Sequence, residues 1–294
     1  MVVYACIVWV VAGAVQQQWW MQMACFGVSV FLMVVLNNSN ALIRIYSRMV
    51  SCSFIALTCA ATYLFPSLGG AIVGLCFIAS LIIALHCYQD KQSAGWTFYS
   101  FLCLGMASMV FVQILYLVPV FWLLMAFQLF ALSWRTFLAS VVGLLTPYWM
   151  ASCWLFWQQD WSLLTAHFMP LAQVTFPADY THVTICQAAL YAVVLLAAII
   201  GTVHFYRQSF NDKIRIRQFY SCFITVVIAV LLLLALMPQH FDMLIRMAIV
   251  VTSPLIAHFI ALTRTRVTNI AFFAIITVVL LLTVASLWIP SLTF

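Results

Sequence analysis

Apolar residues fill this chain in long runs, and the breaks between them are short and sharply polar. Scanned for stretches of about 17 to 25 apolar residues, enough to cross a hydrocarbon core, the sequence predicts helices near 2–17, 19–36, 49–65, 70–87, 96–113 and 115–134, and again near 136–157, 183–204, 219–237, 243–261 and 267–288. Each break has a local cause. Gln16-Gln17-Gln18 parts the first two runs, Asn37-Asn38-Ser39-Asn40 closes the second, and Pro66-Ser67-Leu68-Gly69-Gly70 and Pro238-Gln239 are turns. The runs lack period-2 alternation, which excludes a transmembrane barrel and leaves helices to satisfy the backbone in lipid. Between 158 and 182 the apolar Ser162–Met169 stretch predicts a short interfacial helix, ended or bent by Pro170.

Composition agrees with the pattern. Hydrophobic residues make up 67% of the 294 positions and charged residues 5%, with no glutamate, where a soluble domain carries about a quarter charged. Charge placement then orients the runs. Alternate loops carry Arg44 and Arg48, Lys91, Arg135, the group Arg207, Lys213, Arg215 and Arg217, and finally Arg264 and Arg266; the other loops carry neither Lys nor Arg. By the positive-inside rule the expectation is an all-α, polytopic transmembrane bundle of about eleven helices. Its N-terminus is cytoplasmic and its C-terminus periplasmic, and residues 1–294 form one integral domain of a bacterial inner membrane. Trp19, Trp20, Trp157, Trp161 and Trp288 at outer ends, with Trp96 and Trp134 at inner ends, form the interfacial belts. Met1-Val2-Val3-Tyr4 lacks the basic start of an ordinary signal peptide. The ten cysteines lie in or beside apolar runs without a CxxC pair, so they read as small fillers and not as disulfides or metal ligands.

Groups suited to chemistry are few. The densest string is His240-Phe241-Asp242-Met243-Leu244-Ile245-Arg246 on the outer side. Asp242 and Arg246 are spaced i, i+4 to pair along a helix, and an interfacial arginine offers bidentate binding to phosphate or carboxylate; a snorkelling arginine neutralised by its neighbour is the alternative. Asp160, His167, Asp179 and His182 share that side, with a spacing that matches no metal pattern, so neither metal nor cofactor is expected. His86, His204 and His258 fall near inner helix ends, where an imidazole bonds helix carbonyls. The basic loop of Arg207, Lys213, Arg215 and Arg217, against the single acid Asp212, reads as contact with anionic lipid. Asn37-Asn38-Ser39 matches a glycosylation sequon but lies on the cytoplasmic side. Pro119, Pro147 and Pro254 lie inside apolar runs, with no ionisable residue beside them at mid-depth, which counts against proton coupling.

Trp134-Arg135 followed by Gly143-Leu144-Leu145-Thr146-Pro147-Tyr148, and Leu36-Asn37-Asn38 followed by Arg44, Arg48 and Leu64-Phe65-Pro66, span roughly residues 30 to 155. In these motifs the chain resembles an uncharacterised family of polytopic inner-membrane proteins from Bacteroidetes. The resemblance implies a many-helix envelope protein and transfers no catalytic residue. Three readings follow. One is a multi-pass cell-envelope component without catalytic signature, its partners being membrane lipids and envelope proteins and not nucleic acid. Another is an enzyme acting on a lipid-linked glycan or phosphate at the outer face through Asp242 and Arg246. The third is a transporter or lipid flippase lined by Gln113, Gln128, Thr146 and Gln187.

Overall fold

The computed structural model describes residues 1–158, 162–172, 180, 183–263 and 266–288. Among them are twelve α-helices and no strand: α1 (Val2–Val11), α2 (Trp20–Asn40), α3 (Met49–Cys59), α4 (Leu68–His86), α5 (Ala94–Val110), α6 (Val118–Leu123), α7 (Trp134–Gln158), α8 (Ser162–Ala172), α9 (Ile185–Gln208), α10 (Ile214–Leu236), α11 (Phe241–Leu262) and α12 (Arg266–Trp288). Seven stretches, in α2, α4, α7, α9, α10, α11 and α12, are long and apolar enough to cross a membrane, and four shorter apolar helices occupy the other predicted runs. This is a multi-pass membrane protein.

The short helices depart from expectation. The run 2–17 is helical only to Val11, after which the chain turns through Gly13 at φ +90° and Gln18 at φ +56°. The run 49–65 stops at Cys59 and resumes as a 3-10 turn over Thr62–Leu64 ahead of Pro66. A ten-residue helix rises about 15 Å, half of the roughly 30 Å hydrocarbon core, so α1 does not cross by itself. The run 115–134 is an irregular helix from Val112 to Gln128, 3-10 at its start and π at its end. Pro119 sits in the first turn of α6, where a missing N–H breaks no helix bond. Pro170 does not end α8, which continues to Ala172. Conversely, α2 runs four residues past prediction, because Ser39 Oγ and Asn40 Nδ2 donate to the carbonyls of Val35 and Leu36. It ends where Ala41 turns left-handed at φ +48°. Trp161 and Arg264 lie outside the described residues.

The chain forms two compact units, Met1–Ala71 with Tyr180–Phe294, and Ile72–Asp179. In the second unit α5 and α7 make the main contact. A Cβ on Gly143 would come 2.4 Å from the Phe98 carbonyl oxygen, so only glycine allows these backbones to touch. The same stretch places the Tyr148 hydroxyl 2.6 Å from Ser108 Oγ. The Gly143–Tyr148 segment is therefore a packing motif. In the first unit α11 is central: it packs against α9, α10 and α3, and 16 of its 22 residues are buried.

Candidate functional site

A polar side chain on a helix as enclosed as α11 has to find its partners inside the protein. Two polar clusters occupy its two ends, both within the first unit.

At the C-terminal end the geometry starts with Gly201. A Cβ there would lie 2.6 Å from the Leu255 carbonyl carbon, so α9 and α11 meet backbone to backbone. His204 and His258 stand three residues farther along their helices, close to one turn, and so face each other with their Nδ1 atoms 3.4 Å apart. His258 is wholly buried, and its Nε2 is 3.2 Å from Asp212 Oδ2. The other carboxylate oxygen lies 3.2 Å from Arg44 Nε.

Local structure seats each group. Asp212 ends the short 3-10 turn Ser209–Asn211, its N–H donating to the Ser209 carbonyl, and its side chain is 1% exposed. Arg44 arrives on the 41–48 loop, which Asn37 secures by donating from Nδ2 to the Ser47 carbonyl at 2.8 Å. Its side chain stays 34% exposed, so the chain Arg44–Asp212–His258–His204 runs from solvent into the interior. Aromatic rings wall it: Tyr220 and Phe205 at 4.8 and 5.6 Å from the His258 ring, Phe259 at 5.3 Å from His204. Among the described residues, His204 Nε2 and the Tyr220 hydroxyl are buried without a hydrogen-bond partner.

This string admits two proton arrangements. With neutral His258 donating from Nε2 to Asp212, its Nδ1 accepts from His204; with one proton added, His258 donates to both neighbours and His204 Nδ1 accepts. The Asp212–His258–His204 contacts are kept either way, His204 Nε2 stays without a partner in both, and the two states differ by one charge. Asp212, His258 and His204 are joined end to end and do not face a common point, and no group of three or more such side chains converges as metal ligands among the described residues.

At the N-terminal end of α11 stand the residues singled out from sequence. Asp242 and Arg246 do not form an ion pair: among the described residues Arg44–Asp212 is one, and His258–Asp212 becomes another only when the imidazole is protonated. Asp242 instead accepts from Gln187 Nε2 at 3.1 Å. Gln187 is itself fixed in the capping box of α9, its Oε1 accepting from Thr184 N–H. Arg246 donates from Nη2 to the Leu64 carbonyl, tying α11 to the 3-10 turn before Pro66. Its guanidinium lies on Gly70, where a Cβ would be 2.6 Å from Nε. His240 is half-buried in the turn before α11, its N–H bonded to the Met237 carbonyl. The three predicted residues are neighbours; an Asp242 carboxylate oxygen and one arm of the Arg246 guanidinium hold this end of the unit together, while Arg246 Nε is buried without a hydrogen-bond partner.

The basic segment also differs from its prediction. α10 starts at Ile214, five residues early, so Arg215 and Arg217 ride on a helix and not in a loop. Arg207, Lys213 and Arg215 are exposed, Arg215 standing 5.1 Å over the Phe219 ring, while Arg217 is half-buried. Of the other histidines, His86 bonds the Ile82 carbonyl at 2.8 Å as expected of a helix-end imidazole, and His167 contacts the Ser108 carbonyl at 3.1 Å. Asp160, Asp179 and His182 lie outside the described residues.

Arg44, His204, Asp212 and His258 were each read as something else, as an orienting charge, two helix-end caps and a lone acid in a basic loop. Their common side and depth were legible; their lateral adjacency was not. Neither family models, nor curated proteins, nor solved structures match this chain.

Proposed function

We propose that this chain is a multi-pass inner-membrane carrier of the cell envelope that moves an amphiphile in exchange for, or together with, a proton held by Asp212, His258 and His204. The observation that carries this reading is His258, wholly buried between a carboxylate and a second imidazole. Ionisable groups enclosed in a membrane protein are costly and mark proton or substrate paths. The titratable or charged side chains facing His258 are His204, Asp212 and Tyr220, with Arg44 behind Asp212. An apolar cleft of about 370 Å³ in the same unit, lined by Ile256 and Ile260 on the face of α11 away from His258, supports the apolar part of an amphiphilic cargo. The outer-face enzyme reading is less well supported, because Asp242 and Arg246 are engaged with Gln187 and Leu64.

The eleven-crossing topology with a cytoplasmic N-terminus belongs to this proposal. The contacts of the first unit support it. Loops assigned inside, carrying Arg44 and Asp212, meet at one end of α11, while Leu64, Gly70 and Gln187, assigned outside, meet at the other.

The test is transbilayer movement of a fluorescent phosphatidylglycerol in proteoliposomes, with and without a pH gradient. The expected result is a flux that the gradient accelerates in the native chain and leaves unchanged in His258→Ala. A flux indifferent to the gradient, or no flux above that of empty liposomes, would overturn the proposal.

A further inference from the structure

Between the end of α9 and the start of α10 lies a separate cavity of about 370 Å³, within the range of small-ligand sites. Ile214, Arg217, Gln218 and Ser221 line one side of it, spaced i, i+3, i+4 and i+7 and therefore forming one stripe of α10. Phe205, Tyr206 and Ser209 form the other side.

We infer that this cavity binds a phosphate group, as a phospholipid headgroup or as a soluble phosphate compound, with Arg217 as its anchor. Three observations converge. Arg217, Gln218 and Ser221 make no side-chain hydrogen bond or ion pair among the described residues, and the Arg217 Nε is buried without a partner. The single acid of this segment, Asp212, is already engaged by Arg44 and His258, so no carboxylate there neutralises Arg217. Lys213, which precedes α10, gives the helix no side-chain cap, so the positive end of its dipole lies about one turn from Arg217 and adds to the attraction for an anion. An arginine fork, an amide and a hydroxyl are donors that recognise phosphate oxygens. Arg207, Lys213 and Arg215 stand exposed nearby and supply general attraction, while the cavity supplies a defined seat.

Native mass spectrometry of the full chain, released from phosphatidylcholine nanodiscs containing phosphatidylglycerol and repeated with inorganic phosphate, reads this directly. Arg217→Gln is expected to weaken phosphatidylglycerol retention or phosphate binding about tenfold. Arg215→Gln removes the same charge from outside the cavity, and its expected effect is less than about twofold. Ser221→Ala keeps the charge and the helix, and its expected loss is about threefold. Equal losses in the two arginine variants, or no loss in Arg217→Gln, would overturn the site. Retention of phosphatidylglycerol without a phosphate adduct assigns a lipid headgroup; a phosphate adduct that displaces the lipid assigns a soluble ligand.

Discussion

The two ends of α11 hold charged residues under similar constraints and use them in opposite ways. At the N-terminal end Asp242 and Arg246 are four residues apart and on the same helix, yet each bonds elsewhere, to an amide and to a backbone carbonyl. At the C-terminal end Arg44, His204, Asp212 and His258 come from four different segments and form one connected string. Proximity in sequence only makes a pair geometrically possible. What decides is which unsatisfied group lies closest in the packed unit, and an apolar interior makes that competition severe. The Leu64 carbonyl, which also accepts from Ser67 N–H, takes the Arg246 guanidinium; a buried Asp212 has Arg44 on one oxygen and the His258 imidazole on the other. One end is a fastener. The other is a connected string of titratable groups.

Substitutions at the two ends test this contrast. The largest effect is expected from Asp212→Asn, which leaves Arg44 and His258 facing a neutral amide. The expected loss is about 3 kcal/mol in denaturant unfolding in mixed micelles, at the low end for a broken buried pair because Arg44 keeps some solvent. Gly201→Ala comes next at about 2 kcal/mol, since its methyl group collides with the Leu255 backbone and drives α9 from α11. The same variant should uncouple His204 from His258, visible as separate imidazole nitrogen signals in magic-angle-spinning NMR; a matching spectrum would detach the string from the helix contact. Arg246→Met keeps the aliphatic stem and loses the Leu64 bond, at about 1.5 kcal/mol, with no effect on gradient-driven flux. Asp242→Asn retains an acceptor for Gln187 and should cost under about 1 kcal/mol. If it cost as much as Asp212→Asn, the two ends would be energetically alike and the comparison would fail.

Much of the architecture was legible along the chain. Each of the eleven predicted runs contains helix among the described residues, and seven stretches are long and apolar enough to cross a membrane, because an apolar run in lipid has no other way to satisfy its backbone. Errors gathered at the ends. Asn40 extended α2 through its bond to the Leu36 carbonyl, and Lys213, as N-cap, let α10 start before Arg215, although both stretches looked like loops by polarity. The candidate site was less legible. His240, Asp242 and Arg246 stood out as a compact string, while Asp212 was hidden among the cations that explained it away. His258 stands about one turn from the end of α11, and its enclosure by Asp212, Tyr220 and His204 leaves no trace in the sequence of its own helix.

Run length, the alternation of positively charged loops and the turn residues at each break were set by the sequence itself. Each depends on groups within about one span of one another and on the solvent they meet. The order of helices around α11 was decided only in the tertiary structure. It rests on contacts such as Gly201 against Leu255, where the signal is an absent side chain and the partner lies 54 positions away. Such a contact leaves no periodic trace in either helix, yet it is what brings His204 to His258 and closes the string to Asp212 and Arg44.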